Sequence, residues 1–516
     1  MADKEKFLSQ VGAGYTFQGD SIVLGGPMLD GEVVSGFRVS APLRTFNRHG
    51  LIAGATGTGK TKSLQMIAEQ LSQKGVPVLL MDIKGDLSGI SQPGSSNPKI
   101  EERHAKLGVP WQSLQNAAEL LSISDEPGTR MRATVSEFGP VLLSKILELN
   151  DVQSGTISLL FKYCDDHSLP LLDIADLRKA LQHISQDGKD EIEQNYGLVS
   201  TQSVGTILRN ILQIESQGAD TFFGEPSFEV EDLMRLDDNG RGYINILRLT
   251  DVQGKPLLFS TFMLCLLAEI YATLPERGDV DAPELVIFID EAHLIFKDAP
   301  KVLLDQIETV VKLIRSKGVG IFFITQNPAD IPDAVLSQLG FKLQHALRAF
   351  TAKDRKDIQK AAENYPLSDF YDADELLTQL GIGEAFVTVL NEKGIPTPLV
   401  HCMMCAPGSR MDVISASEIN AMVAGSKIHG KYDKRIDRES AAEILIKKLE
   451  AKKNEEEESR KEEEEKKEET GGRKEKSIIE QAVNSSVGRT VVRELTRGLL
   501  GVLGIGGTRR RKSSWF

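Results

Sequence analysis

The chain has 516 residues and a formal net charge of −13, with 74 acidic and 61 basic side chains. This acidic balance argues against a surface covered with cations for nucleic acid, although a local basic channel is compatible with it. Four cysteines are too few for a disulfide framework and fit reduced thiols in the cytoplasm, and a chain of this length is expected to form several domains.

The first segment, residues 1–45, is predicted to be a short β lead-in to the main domain. From about residue 10 its polarity alternates, and Gly-Gly and Asp-Gly pairs punctuate it, which favours short strands joined by turns. No basic stretch followed by an apolar run opens the chain, so we expect no secretory signal.

At residue 46 the pattern changes to that of an α/β domain, which is predicted to extend to residue 410. A short apolar run, a glycine-rich turn, a helical stretch and a second apolar run predict a β-α-β unit, and therefore a parallel sheet. Residues 243–249, 285–290 and 319–325 are predominantly apolar, which is typical of strands buried on both faces.

In residues 90–238, polar and apolar residues recur at helical spacing, which predicts a mostly helical insertion. This insertion either has its own role or is part of one large domain. The apolar stretch 257–270 falls short of the roughly 20 residues that cross a bilayer, so we expect a buried helix and no integral membrane segment. Near residue 391, Asn-Glu-Lys-Gly between two apolar segments predicts a β-hairpin. Cys402 and Cys405 have the spacing of metal ligands, but no second ligand pair accompanies them, which favours a structural role.

Residues 411–476 are predicted to form a charged linker or helix, because from about Lys434 to Lys476 few apolar side chains interrupt the acidic and basic ones. Residues 477–516 are amphipathic and end in a basic cluster. We interpret this tail as a docking segment for a protein partner or another subunit, with a membrane-surface segment and an inert tail as alternatives. The acidic run could also mimic DNA, in which case removal of the residues after Gly425 should raise DNA-stimulated turnover.

The strongest motif is a glycine-rich loop that fits GxxxxGK[ST] between a predicted strand and a predicted helix. Its backbone N–H groups and the positive end of the helix favour a phosphate group. Lys60 is expected to reach the β- and γ-phosphates, and the Thr61 hydroxyl is expected to bind Mg²⁺, so ATP and Mg²⁺ are the predicted cofactors. The residues predicted to hold the nucleotide are Gly54, Ala55, Thr56, Gly57, Thr58, Gly59, Lys60, Thr61 and Lys62.

A second motif follows the apolar run at residues 285–289, where Asp290 and Glu291 stand at the edge at which open α/β sheets bind ligands. Asp290 is expected to hold Mg²⁺ through water, and Glu291 to act as the general base toward the attacking water. Simple switches and small-molecule kinases usually lack such a second acid, so the pair favours sustained hydrolysis. Gln326 ends the next apolar run and is predicted to sense the γ-phosphate or to orient water.

Arg315 precedes that run in an amphipathic helical stretch. An arginine in this position can reach the phosphates of a neighbouring subunit, and a surface salt bridge is the alternative. Arg348 is a second candidate for the same role. The segment from Asp82 to Asp86 also faces the ligand edge, either as part of the site or as a turn cap.

The four segments GATGTGKT, DIKGD, FIDEAH and RSKGVGIFFITQNPADIP together resemble the HerA-like branch of the HerA/FtsK ATPases, and in particular the bacterial DUF853 family. The resemblance covers residues 12–407. It implies a RecA-like P-loop core, assembly as a hexameric ring and translocation on double-stranded DNA. The matching motifs imply roles for Lys60 and Thr61 at phosphate and magnesium, Asp290 and Glu291 as the Walker B pair, Gln326 as a sensor-like residue, and Arg315 as a trans-acting arginine.

We therefore predict an ATP-hydrolysing motor that assembles with itself, with double-stranded DNA as its expected substrate. One alternative is an ATPase that remodels protein partners or assembles with them, which the negative charge and the tail favour. Another is a nucleotide-gated scaffold with little hydrolysis, against which the acid pair argues. Stimulation of turnover by DNA separates the first two.

Overall fold

The computed structural model describes residues 4–278, 280–297, 301–436 and 438–469. The chain divides into two compact units. The first comprises the residues up to Met131 together with Ser227–Lys434, and the second comprises Arg132–Pro226 together with the residues from Arg435 onward. The amphipathic tail predicted at residues 477–516 lies outside the described residues.

All strands of the described ranges belong to the first unit and form one sheet. In chain order they are β1 (Ser21–Leu29), β2 (Glu32–Val33), β3 (Val39–Pro42), β4 (Gly50–Ala53), β5 (Val78–Asp82), β6 (Ala118–Ser122), β7 (Thr129–Arg130), β8 (Ile244–Arg248), β9 (Leu285–Ile289), β10 (Val319–Thr325), β11 (Phe341–Gln344), β12 (Glu384–Thr388) and β13 (Val400–Met404).

The larger part of this sheet is parallel, in the order β11-β4-β10-β9-β5-β8-β6-β7. Antiparallel strands extend it beyond β11 in the order β12, β13, β1 and β2, and β3 also pairs with β1. Strands β9 and β10 are buried along their whole length, which explains their continuous apolar sequence. The mostly parallel sheet confirms the predicted α/β fold class.

The helices of the described residues are α1 (Lys4–Gly14), α2 (Lys60–Gln73), α3 (Pro98–Leu107), α4 (Val135–Ile146), α5 (Asp151–Asp166), α6 (Ile174–Ser185), α7 (Lys189–Asn195), α8 (Thr201–Glu215), α9 (Ala219–Phe222), α10 (Pro256–Thr273), α11 (His293–Lys297), α12 (Lys301–Leu313), α13 (Asp333–Leu336), α14 (Ala352–Glu363), α15 (Ala373–Gln379), α16 (Ala416–Gly425), α17 (His429–Tyr432) and α18 (Ala441–Glu469).

The second unit is helical and contains α4 to α9 together with α18. Three of its helices begin with reciprocal caps between the side chain before the helix and the residue three positions later: Thr134 with Glu137, Asn150 with Gln153, and Asp173 with Asp176. These caps satisfy backbone N–H groups that have no partner within the helix. Local sequence thus defines where α4, α5 and α6 start.

The hairpin prediction near residue 391 is confirmed, because β12 and β13 pair as antiparallel neighbours. The stretch at 257–270 forms α10, whose side chains are mostly buried in the first unit. Within the described ranges, α10 is also the one helix long and apolar enough to cross a membrane by length and composition, a test that buried core helices pass as well. A cytoplasmic location stays a prediction.

Two parts of the architecture were not predicted from the sequence. The N-terminal segment begins with the helix α1, and its strand β1 pairs with β13 as part of the main sheet. Within the span expected to be a mostly helical insertion, residues 98–130 contribute α3, β6 and β7 to the first unit. Strand β6 pairs in parallel with β8, a partner more than 100 positions later in the sequence. Pairing between such distant segments cannot be recognised from the sequence around either strand.

Candidate functional site

The functional side chains gather where the parallel strands end. Gly54 follows β4, Gln326 follows β10, Asp290 follows β9, and Asp82 closes β5. These four strands are neighbours in the order β4, β10, β9, β5 and run in one direction, so their carboxyl ends share one edge of the sheet. The structure therefore brings the two predicted motifs together at the edge where ligands bind in open α/β sheets.

The loop between β4 and α2 is fixed by backbone hydrogen bonds and close packing. The Ala55 N–H donates to the carbonyl oxygen of Ala346 at 2.8 Å. Gly54 has a φ of +150°, and a Cβ at this position would lie 2.5 Å from the Cβ of His345. Gly59, with a φ of +121°, has the Cα of Gly383 3.2 Å from the place of a Cβ. Only glycine fits both positions without strain.

Lys60 begins α2 and folds back over this loop. Its Nζ donates to the carbonyl oxygens of Gly54 at 2.6 Å and Ala55 at 3.1 Å, and the residue is 7 % exposed. Burial lowers the pKa of the Lys60 ammonium, and the nearby Lys84 lowers it further. The ammonium is thus a poorly solvated cation, and the oxygens of an anion could replace the two carbonyls as its partners.

Lys62, the last residue predicted to contact the nucleotide, points elsewhere in this structure. Its Nζ donates to the carbonyl oxygen of Met411. Helix α2 is tied to the same segment by Glu69, whose carboxylate accepts from the N–H groups of Gly408 at 2.8 Å and Ser409 at 2.9 Å. The role of Lys62 toward a nucleotide therefore stays a prediction.

The two acids after β9 are buried, and each is 4 % exposed. Burial raises the pKa of Asp290 to about 6, and the neighbouring Glu291 contributes to the rise. Glu291 has a φ of +46°, a left-handed conformation that is uncommon outside glycine and that concentrates at functional sites. The backbone is held there in part by the Ala292 N–H, which donates to the carbonyl oxygen of Ile324 at 2.8 Å.

The donor set at this edge fits a magnesium ion. The Oδ2 atom of Asp290 is buried and has no hydrogen-bond partner among the described residues. Thr61, in the first turn of α2, supplies a partly exposed hydroxyl. Within the described part of the chain no three metal-ligating side chains cluster. Magnesium typically takes one or two carboxylates and completes its shell with water and phosphate oxygens, so the two residues suffice on the protein side.

A chain of polar contacts links the acid pair to the phosphate loop. The carboxylate of Glu291 is ion-paired with Lys84, and its Oε2 lies 3.0 Å from Nδ1 of His293. Gln326 donates from Nε2 to the same Oε2 at 3.4 Å, and its Oε1 accepts from the Thr56 hydroxyl at 3.4 Å. Gln326 therefore stands between the loop and Glu291.

The segment after β5 contributes in two ways. Asp82 caps the turn, because its carboxylate accepts from the N–H groups of Gly85 at 2.7 Å, Asp86 at 3.1 Å and Leu87 at 3.2 Å. Burial raises its pKa to about 7, with a further contribution from Asp86. The turn cap that the sequence allowed is what the structure has for Asp82, and the turn it forms carries Lys84 to Glu291.

Arg315 and Arg348 lie at different edges of the sheet. Arg315 is exposed on a short 3₁₀ helix, Ile314–Lys317, before the amino end of β10. Since β10 has seven residues, it separates Arg315 from the phosphate loop of its own chain by roughly 20 Å. Arg348 is exposed and follows β11 at the carboxyl edge, near the loop. The structure thus does not bring Arg315 to the other site residues of the same chain.

Sequence reasoning missed part of the wall around the loop. His345 is buried, its Nε2 lies 2.9 Å from the Ser63 hydroxyl, and burial lowers its pKa to about 4. The Gly383 N–H donates to the carbonyl oxygen of Thr58 at 2.9 Å, and Arg103 donates to the carbonyl oxygens of Gly383 at 3.0 Å and Ile382 at 2.7 Å. No local motif marks these residues, because the topology alone brings them to the loop.

Comparison with known proteins gives consistent matches to one family. The family model described as "Helicase HerA-like C-terminal" matches residues 31–511. The DNA double-strand break repair helicase HerA of Sulfolobus acidocaldarius is 23 % identical over 369 residues, which are 70 % of this chain and 66 % of that protein. The protein of the same name from Sulfurisphaera tokodaii is 24 % identical over 375 residues, with the same coverage. This chain therefore spans just under two thirds of the length of these relatives.

Among solved structures, the plasmid coupling protein TrwB in complex with ADP and Mg²⁺ is similar over 77 % of this chain and 98 % of its own chain, with a TM-score of 0.49 and 15 % identity.

Proposed function

The chain belongs to the family of helicase HerA-like C-terminal proteins, and from this premise we propose that it is an ATP-hydrolysing P-loop motor. The observation that carries the proposal is the meeting of two motifs at one sheet edge. Lys60 and Thr61 begin α2 after β4, and Asp290 and Glu291 follow β9, with β10 as the single strand between. This arrangement would supply a phosphate cradle, magnesium ligands and a general base within one site.

The phosphate loop would bind the nucleotide, and Lys60 would exchange the carbonyl oxygens of Gly54 and Ala55 for phosphate oxygens. Thr61 and the unpartnered oxygen of Asp290 would hold Mg²⁺. Bound Mg²⁺ would neutralise charge that develops on the phosphates. The glycines Gly54, Gly57 and Gly59, all at positive φ, let the loop approach the phosphates closely.

Glu291 would accept a proton from the attacking water at its carboxylate. Its left-handed backbone and its contact with Lys84 fix the direction of that carboxylate. Gln326 contacts both Thr56 and Glu291, and through these contacts it would orient the water and report on the phosphate loop. Each of these roles needs a side chain at the carboxyl edge of the sheet, and Lys84, Glu291 and Gln326 all follow strands that end at that edge.

We further propose that identical subunits assemble in a ring, in which Arg315 acts on the nucleotide of the neighbouring subunit. Its distance from the phosphate loop of its own chain supports a role in trans, where an arginine stabilises the charge of the transition state. Double-stranded DNA is the substrate we propose for the motor, by analogy with the HerA relatives, which are named DNA double-strand break repair helicases.

A second candidate is an ATPase that moves or assembles protein partners. The net charge of −13 favours it, and so does α18, in which acidic side chains outnumber apolar ones. DNA phosphates would be repelled by such surfaces. Both candidates use the same nucleotide site, so the choice between them concerns only what the motor acts on.

The test is steady-state ATP hydrolysis by the full chain at low salt, with and without linear double-stranded DNA. A rate that rises with DNA, and a stimulation that weakens as salt is added, would support a DNA motor. A rate that DNA leaves unchanged would favour the protein-directed ATPase. Absence of Mg²⁺-dependent hydrolysis under both conditions, with ATP bound, would contradict the proposed activity and leave a nucleotide-gated scaffold.

A further inference from the structure

A cavity, here called the rear cavity, opens at the edge of the sheet opposite the phosphate loop. Its volume is about 440 Å³, which is within the range of small-molecule sites. His49 and Gly340, which line it, immediately precede β4 and β11, so the cavity lies at the amino ends of these parallel strands. The phosphate loop lies at the carboxyl end of β4, and the cavity is therefore a separate place in the same unit.

Most of the charged side chains that line this rear cavity are cationic. One exposed acid, Glu363, also lines it, and Glu308 pairs with one of the cations, at 2.5 Å from Nζ of Lys312. The wall thus holds four cationic side chains and one acidic one, and one of the four cations, Lys312, is ion-paired. The four cationic side chains are Arg48, Lys312, Arg315 and Lys342.

Lys342 is the cation in this wall whose surroundings most favour an anion. It lies on β11 and is partly buried, and its Nζ donates to the carbonyl oxygen of Asn364 at 3.1 Å. Among the residues that the structure describes, no carboxylate lies within ion-pair distance of it. Burial alone lowers the pKa of this ammonium. Desolvated cations are costly unless a counter-charge accompanies them.

A second polar group in the wall also lacks a partner. Tyr365 lines the cavity, is 7 % exposed, and its hydroxyl makes no hydrogen bond with the described residues. Buried hydroxyls are normally hydrogen-bonded, so the hydrogen-bonding capacity of this hydroxyl is unused among the described residues.

We propose that the rear cavity binds a phosphoryl group, with Lys342, Arg48 and Arg315 as its cationic partners. Phosphate oxygens match the fork of an arginine and the point charge of a lysine. The phosphoryl group has two sources: the nucleotide in the phosphate loop of a second copy, or a free phosphorylated small molecule. The neighbour's nucleotide as the source rests on the proposed function, in which Arg315 acts on a neighbouring subunit. A free phosphorylated small molecule as the source does not depend on that function.

The binding test uses inorganic pyrophosphate as the probe and the full-length Lys60→Ala protein, in which the phosphate loop is impaired. Calorimetric titration at fixed ionic strength should give one pyrophosphate per chain. Adding Lys342→Met should weaken binding by about 10-fold or more, because an ammonium contact to a charged ligand is lost. Lys356→Met, an exposed lysine on α14 that does not line the cavity, is the matched control and should bind like its parent.

The Arg48→Gln substitution provides a second test if Lys342→Met fails to fold, and circular dichroism monitors folding of both. No saturable binding of pyrophosphate, or binding equal in the parent and in both cavity variants, would overturn the proposal. The measurement is independent of hydrolysis. A protein that binds pyrophosphate at the rear cavity but hydrolyses no ATP would therefore refute the proposed function and leave this inference standing.

Mixing distinguishes the two sources. Lys342→Met subunits keep an intact phosphate loop, and Lys60→Ala subunits keep an intact rear cavity. If the phosphoryl group belongs to the neighbour's nucleotide, mixtures should hydrolyse more ATP than the sum of the separate proteins. If pyrophosphate binding depends on Lys342 but mixing restores nothing, the cavity serves a free phosphorylated ligand.

Discussion

The ammonium of Lys84 is ion-paired with the carboxylate of Glu291. Lys84 follows β5 and Glu291 follows β9, and these strands are parallel neighbours, so the sheet itself holds the pair together. The side chain of Glu291 is buried and that of Lys84 is about one third exposed, at 37 %. Burial lowers the pKa of Lys84, but the contact with Glu291 outweighs it and the pKa is raised overall. The lysine supplies the buried carboxylate with its counter-charge.

From this pair we predict that Lys84→Met lowers kcat by about 10-fold with little change in KM, because the general base loses the group that directs it. A double-mutant cycle of kcat with Glu291→Gln is the measurement. In the double variant, loss of Lys84 should cost little beyond the loss of Glu291. If Lys84→Met lowered kcat by the same factor in the wild type and in Glu291→Gln, positioning of the base by Lys84 would be contradicted. Lys74→Met, a partly exposed lysine that pairs with Asp20, is the control.

Arg315 is predicted to act on the site of another subunit. Arg315→Ala should lower ATP hydrolysis by about 10³-fold, as loss of a trans-acting arginine does. Mixing it with Glu291→Gln should restore activity, because some interfaces then combine an intact base with an intact arginine. Arg355→Ala, an exposed arginine on α14, should not reduce hydrolysis. A mixture no more active than the sum of its components would rule out the shared site.

His49 is predicted to make the fold sensitive to mild acid. Its Nε2 lies 2.7 Å from the carbonyl oxygen of Val311, and its Nδ1 accepts from the Ile321 N–H at 3.0 Å, so the neutral ring uses both nitrogens. Burial lowers its pKa to about 4 from 6.5. As the pH falls, His49 is protonated in the unfolded chain before it is protonated in the folded protein. Stability is therefore lost as the pH falls from about 6.5 toward 4.

Between about pH 6.5 and pH 4, protonation of His49 should lower the free energy of unfolding by about 3 kcal/mol. The measurement is the free energy of unfolding by denaturant, at several pH values, in the wild type and in His49→Gln. The variant should be less stable at pH 7 but should show a smaller decline below pH 6.5. Parallel pH profiles for the two proteins would contradict the assignment.

Phe322 is predicted to be a central support of the sheet. It lies fully buried on β10, and its ring centroid is 5.4 Å from that of Phe46 and 5.1 Å from that of Phe288. Phe322→Ala should destabilise the protein by about 3–5 kcal/mol, because it leaves a cavity in a packed core. Thermal unfolding should show a lower Tm, whereas Leu367→Ala, at a fully exposed position, should leave Tm unchanged. Equal Tm values for the two variants would contradict this role.

The parts of the site that the sequence predicts are those that short segments encode. The loop from Gly54 to Thr61 needs a strand, a glycine-rich turn and a helix in succession, and all three are local. Asp290 and Glu291 follow a continuously apolar strand, and their position at the ligand edge follows from the direction of that strand. A parallel sheet then places both motifs at the same edge.

The parts that the sequence did not predict depend on pairing between distant residues. His345 faces the loop because β11 pairs with β4, and Gly383 reaches Thr58 because β12 pairs with β11. The contact of Lys84 with Glu291 likewise depends on β5 lying beside β9. None of these residues lies in a motif or a periodic pattern that marks its partner, so only the three-dimensional arrangement identifies the contact.

The most direct test of the account is a comparison of Mg²⁺-dependent ATP hydrolysis and ATP binding in the wild type and in Glu291→Gln. We predict that hydrolysis falls by about 100-fold or more in the variant, because the amide cannot accept the proton of the attacking water, while the affinity for ATP stays close to that of the wild type. A variant that binds ATP and hydrolyses it at the wild-type rate would contradict the role of Glu291 and the hydrolytic site built around it.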